Sequence, residues 1–79
     1  MLAAQPKTPS AERLMFGRRL REERKLRDWT LEDLGERCAL AWNYIADVER
    51  GERNVTIDTA AKLAGGLGVP LWQLLRSSE

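Results

Sequence analysis

Between Trp42 and Asn54 the chain gathers side chains able to do chemistry on a polar partner: the Asn43 amide, the Tyr44 hydroxyl, the Asp47 carboxylate, the Arg50 and Arg53 guanidiniums and the Asn54 amide. An amide donates and accepts at once, and a guanidinium offers a fixed fork of donors. None of these groups is a nucleophile with a base beside it. The sequence contains no His and one Cys, Cys38, which removes disulfides and leaves neither a zinc site nor a His-assisted nucleophile to expect. Its carboxylates are dispersed, so no acid–base pair is expected either. What remains is hydrogen bonding and charge pairing, the chemistry of reading a surface. No enzyme activity, cofactor or metal is expected.

Residues 30–51, TLEDLGERCALAWNYIADVERG, must position those groups. Leu34 and Cys38 stand four apart on one helical face, Ile45 and Val48 three apart on another, and Leu40 sits between them to plug a corner. Gly35 supplies a small residue where two helices cross steeply, in spite of its low helix propensity. This is helix-turn-helix spacing, whose second helix, 42–50, is shaped for the DNA major groove. Thr30 caps the first of the two helices, with Asp33 answering in a capping box and Trp29 stapling onto Leu34. Two positions strain the pattern. Ala39 falls where a left-handed residue is wanted, at a cost of about 1 kcal/mol, and Ala41 has no oxygen to cap the next helix.

Seventy-nine residues with a net charge of +1 make one small domain without room for a separate effector-binding unit. Residues 1–9 read as a flexible tail and 10–79 as the folded domain. Thr8 or Ser10 caps a first helix reaching Arg27, whose narrow stripe of Leu14 or Met15, Phe16 and Leu20 places Arg24 at the next inward position. The surrounding run from Arg18 to Arg27 holds six cations against two anions, either a solvated face or a flank turned to phosphate. After Gly51 ends the recognition helix, Thr56 caps a fourth with Ile57, Ala60, Ala61, Leu63, Ala64 and Leu67 inward; Pro70 opens a fifth, Leu71 to Arg76. The expectation is an all-α, five-helix bundle. Leu71, Trp72 and Leu75 exceed what a small helix can hide and are candidates for a homodimer interface. No apolar run approaches a membrane span and no export signal opens the chain, so a cytoplasmic location is expected.

The segment from Phe16 to Leu75 resembles the phage-repressor and Cro-like helix-turn-helix family, also called the xenobiotic-response-element family. The matching pieces are FGRRLREERKLRDWT, LEDLGERCALAWNYI, VERGERNVTI and KLAGGLGVPLWQLL, and YIADVERGERNVTI is also similar to restriction-modification controller proteins. The resemblance implies a lambda-repressor-like fold and a transcriptional regulator that binds an inverted-repeat operator in double-stranded DNA as a homodimer. It further implies a buried structural ion pair between Arg24 and Glu49, which the interruption of an apolar stripe by Arg24 and the place of Glu49 after Val48 allow.

On that reading Asn43 pairs with adenine N6 and N7, Trp42 lies along a thymine methyl or a sugar, Ala46 touches methyl groups, and Asp47 accepts from a cytosine amine or repels wrong sequences. Phosphate contacts fall to Thr30, Tyr44, Arg50, Arg53 and Asn54. Relatives commonly place Gln where Leu31 stands, so that phosphate contact is missing, with Arg37 or the Arg18 to Arg27 flank to compensate. A second reading keeps a protein partner, as for an antitoxin, with exposed Trp residues on the partner's surface.

Overall fold

The computed structural model describes residues 9–77, so the tail expected over 1–9 lies, but for Pro9, outside the described residues. Four α-helices and no strand are found among them: α1 (Ala11–Leu26), α2 (Leu31–Cys38), α3 (Trp42–Glu49) and α4 (Ile57–Leu67). The expected fifth helix is instead a single 3-10 turn, Leu71–Leu74. Its bonds run from Gln73 N to Pro70 O and from Leu75 N to Trp72 O, both 3.0 Å. Four residues after a proline cannot offset the cost of an α-helical nucleus, and i to i+3 bonding suffices to drop Leu74 into the core.

The helix starts follow the capping chemistry. Ser10 Oγ accepts from the Arg13 amide at 3.1 Å, and Thr56 Oγ1 from that of Thr59 at 3.0 Å. The Thr30 box is complete in both directions: its Oγ1 accepts from the Asp33 amide at 3.0 Å, and Asp33 Oδ2 from the Thr30 amide at 2.9 Å. Ala41 caps nothing. Ala39 does adopt the left-handed conformation, at φ 57°, as does Asp28 at φ 59° past the end of α1, where a short polar side chain tolerates it better.

Phe16, Leu20, Leu34, Cys38, Ile45, Val48, Leu63, Leu67 and Leu74 form the core. Trp29 and Leu40 pack against it half-buried. The α4 stripe is narrower than expected. Ala60, Leu63, Ala64 and Leu67 face inward, whereas Ile57 and Ala61, four residues apart on the other side, are exposed. Leu14 is also part-exposed, lying over Gly51.

Two glycines set how closely the helices approach. A Cβ on Gly35 would sit 2.6 Å from the Leu40 carbonyl oxygen, so the tight turn between α2 and α3 needs the missing side chain. A Cβ on Gly17 would sit 2.3 Å from the Val48 carbonyl oxygen and 2.6 Å from that of Glu49, which brings α1 onto the last turn of α3 at backbone distance.

Candidate nucleic-acid interface

The far side of that last turn is locked by charge. Arg24 grips Glu49 with two parallel bonds, Nε to Oε2 at 2.7 Å and Nη2 to Oε1 at 2.9 Å, and its third nitrogen donates to the Trp29 carbonyl at 2.8 Å. Both side chains are at least nine-tenths covered. The bonds from Glu49 hold the Arg24 pKa above its ordinary value against the opposing pull of burial. One guanidinium thus joins α1, the segment leading into α2, and the end of α3.

With its C-terminal turn so fixed, α3 presents its first turn outward. Trp42 is 51% exposed, and Asn43 is exposed beside it. Trp42 shares a shallow groove with Glu32, Gly35 and Glu36 of α2. Asn43 turns its Oδ1 back to accept from the Tyr44 amide at 3.1 Å, partly replacing the cap that Ala41 lacks. Ala46 departs from expectation: it is only 9% exposed, at the bottom of a cleft lined by Arg21 and Arg24 of α1 and Leu31 of α2, and has little surface left for a base.

Asp47, Arg50, Arg53 and Tyr44 come together as one cluster. Asp47 Oδ1 accepts from Arg50 Nη2, and its Oδ2 lies 3.5 Å from Arg53 Nε. Arg53 also lies over the Tyr44 ring at 5.3 Å, and Arg50 Nε is 3.3 Å from Glu52 Oε1. Asn54 is held from elsewhere, by Arg13 of α1, whose Nη1 donates to Asn54 Oδ1 at 3.4 Å while its Nε donates to the Gly51 carbonyl at 3.0 Å. Nothing in the local sequence around Arg13 signals this. Thr30 stands apart from the cluster at the start of α2, with a hydroxyl that accepts from Asp33 and keeps its own proton to donate.

The basic run of α1 divides in two. Arg19 and Arg24 are buried, while Arg18, Arg21 and Lys25 are exposed. Arg21 lines a cleft with Leu31, Ala46 and Arg50, which brings an α1 cation to the position beside Leu31. Arg37 is engaged otherwise, its guanidinium 4.0 Å over the Trp29 ring. Arg19 bonds Glu22 at 2.7 Å, Glu23 at 2.9 Å and the Gln73 carbonyl at 3.2 Å, with Arg27 completing the set at 2.8 Å from Glu23. This network, unanticipated from the sequence, fastens the 3-10 turn to α1. On that turn Leu71 is half-buried, Trp72 is 61% exposed and Leu75, just after it, is 49% exposed.

Cys38 is buried, and burial raises its thiol pKa, so it packs as an unreactive apolar group. Among the described residues no cluster of three potential metal ligands occurs, and no helix is long and apolar enough to cross a membrane.

The HTH_3 helix-turn-helix family matches residues 20–71. The control protein C.BamHI of Bacillus amyloliquefaciens is 41% identical over 64 residues, covering 80% of this chain and 79% of its own. The chain spans less of some longer regulators, 39% of the immunity repressor of Bacillus phage phi105, for instance, at 38% identity over 71% of this chain. Among solved structures, the restriction-modification controller protein C.AhdI of Aeromonas hydrophila superposes with a TM-score of 0.79 at 37% identity, over 82% of this chain and 98% of that one. Family match, identity and superposition agree with the helix geometry: the chain belongs to the XRE-like helix-turn-helix family of DNA-binding transcription regulators.

Proposed function

We propose that this chain is a sequence-specific transcriptional regulator that binds a short inverted repeat in double-stranded DNA as a homodimer, with α3 in the major groove. The observation that carries the reading is the asymmetry of α3: its last turn is locked by Gly17 and the Arg24–Glu49 pair, while Trp42 and Asn43 stand exposed at its start. That is the disposition a reading helix needs, with a rigid rear and base-contacting side chains near its N-terminus. In this role Asn43 swings its carbonyl off the Tyr44 amide to pair with adenine, and Trp42 packs along a thymine methyl or sugar. Arg50, Arg53, Asn54, the Tyr44 hydroxyl and the Thr30 hydroxyl hold phosphates on either side. Arg21 takes the phosphate beside Leu31.

Leu71, Trp72 and Leu75 form the contact between two copies, whose α3 helices then meet half-sites about 34 Å apart. An operator in duplex DNA places the protein in the cytoplasm. Support for the DNA-binding part of this reading comes also from a relative, SinR, solved in complex with DNA, at 30% identity and a TM-score of 0.73 over 78% of this chain and all of that one.

Selection from random duplexes tests the reading. A two-fold symmetric consensus is expected, bound with an affinity that falls steeply with salt. Asn43→Ala should reduce discrimination at one base pair by about 1 to 3 kcal/mol, whereas Arg53→Ala should weaken cognate and scrambled duplexes alike. Equal losses on both duplexes for Asn43→Ala would remove its assigned role.

A further inference from the structure

Asp47 is hard to explain as a stabilising residue. It lies four residues after Asn43 and three before Arg50, on the stripe of α3 that carries the base reader. It is 30% exposed, and each arginine that it holds is 55% exposed, so these pairs contribute little to folding. Yet a carboxylate on the face offered to a polyanion repels it, and this one also occupies Arg50 and Arg53, the two cations assigned to phosphate.

We propose that Asp47 is a specificity-determining gate: in the free protein it holds Arg50 and Arg53, and a duplex binds only by taking both from it. The inference rests on the DNA-binding reading above. A phosphate oxygen accepts from a guanidinium as a carboxylate oxygen does, so a backbone phosphate can replace the single contact that Asp47 makes with each arginine. The Tyr44 ring, 5.3 Å from the Arg53 guanidinium, can keep that arginine in place during the exchange. The exchange leaves the Asp47 carboxylate bare against the duplex. In the major groove an exocyclic amine, cytosine N4 or adenine N6, is the donor that can satisfy it, and an acceptor edge such as guanine O6 and N7 cannot. Non-cognate DNA therefore meets a cost that a correctly placed base amine removes, and the gate converts general phosphate affinity into sequence choice.

The test uses the full chain as wild type, Asp47→Asn, Arg53→Ala and the double variant. Three labelled probes are titrated by fluorescence anisotropy: the selected duplex, a scrambled duplex of equal composition, and heparin. Asp47→Asn should tighten binding to scrambled DNA and to heparin roughly fivefold, the release of two exposed ion pairs, and to the selected duplex by less. Arg53→Ala should cost more in the Asp47→Asn background than in wild type, since only there does the arginine start free of the carboxylate. Additive effects of the two substitutions would reduce Asp47 to a simple repulsive charge and overturn the gate, as would unchanged binding of heparin and scrambled DNA by Asp47→Asn. Coupling on heparin from a wild type that does not distinguish selected from scrambled DNA would uphold the hold of Asp47 on its arginines but bring down the regulator reading and, with it, the gate's role in specificity.

Discussion

Two arginine–carboxylate systems sit within two residues of each other on α3, and they do opposite work. Glu49 is gripped by Arg24 where side-chain exposure falls to 6% and 10%, with each nitrogen of the guanidinium donating to an oxygen of the protein. Asp47 meets Arg50 and Arg53 in the open, at 30% and 55%. Water can replace either partner of the outer system at little cost, so its bonds are free to be exchanged for bonds to a ligand. Neither member of the inner pair can leave without stranding its partner in a dry place. Burial, rather than the pairing itself, decides which ion pair is scaffold and which is available to bind.

The largest test of this contrast is Arg24→Ala. Removing one side of the buried pair leaves Glu49 charged and covered and frees the Trp29 carbonyl, a loss of about 3 to 5 kcal/mol. That is most of the stability of a domain this small, so thermal denaturation followed by circular dichroism should find it largely unfolded at 37 °C, about the temperature at which many such domains must work. A melt superimposing on wild type would mean that the pair is not structural.

A second buried network sharpens the point at smaller magnitude. Burial pushes the Glu23 carboxyl up, but bonds from Arg27, Gln73 and Arg19 outweigh it and hold the pKa below its ordinary value of 4.5. A pKa depressed by folding adds stability above the unfolded value and loses it as pH falls through the folded one. Glu23→Gln should therefore be about 2 kcal/mol less stable than wild type at pH 7. The two melting temperatures should converge as the pH is taken below about 4.5, in denaturation curves recorded across that range. A constant gap down to pH 3 would show the carboxylate charge to be irrelevant.

Much of this architecture could be read from residue order because it is set by neighbours in sequence. The Thr30 box, the stop at Gly51 and the strained Ala39 each depend on a few adjacent residues, and each is found. The features that were not legible depend on partners far along the chain. Gly17 looks like an ordinary helix weakness until the Val48 and Glu49 carbonyls are laid across it. Gly66 likewise reads as a helix breaker, yet a Cβ there would lie 2.3 Å from Cys38 Sγ, so it is where α4 meets α2. Arg19 and Glu23 have the spacing of a surface pair, yet they are buried and both bond to Gln73 from the 3-10 turn. At the interface the same rule applies: Asn43 and Trp42 are legible as exposed first-turn residues, whereas the covering of Ala46 by neighbouring helices and the reach of Arg13 to Asn54 are not.

The smallest expected effect bears most directly on the comparison. If the outer ion pairs are exchangeable, Asp47→Asn should change the melting free energy by no more than about 1 kcal/mol, and raising the salt should shrink even that. The same substitution is expected to alter polyanion binding about fivefold. A gain in polyanion binding without a matching loss of folding stability is what separates a group kept for recognition from one kept for the scaffold. Calorimetric melts of wild type and Asp47→Asn in low and high salt measure it. A loss approaching that of Arg24→Ala would place Asp47 with Glu49 in the scaffold and erase the distinction between the two systems.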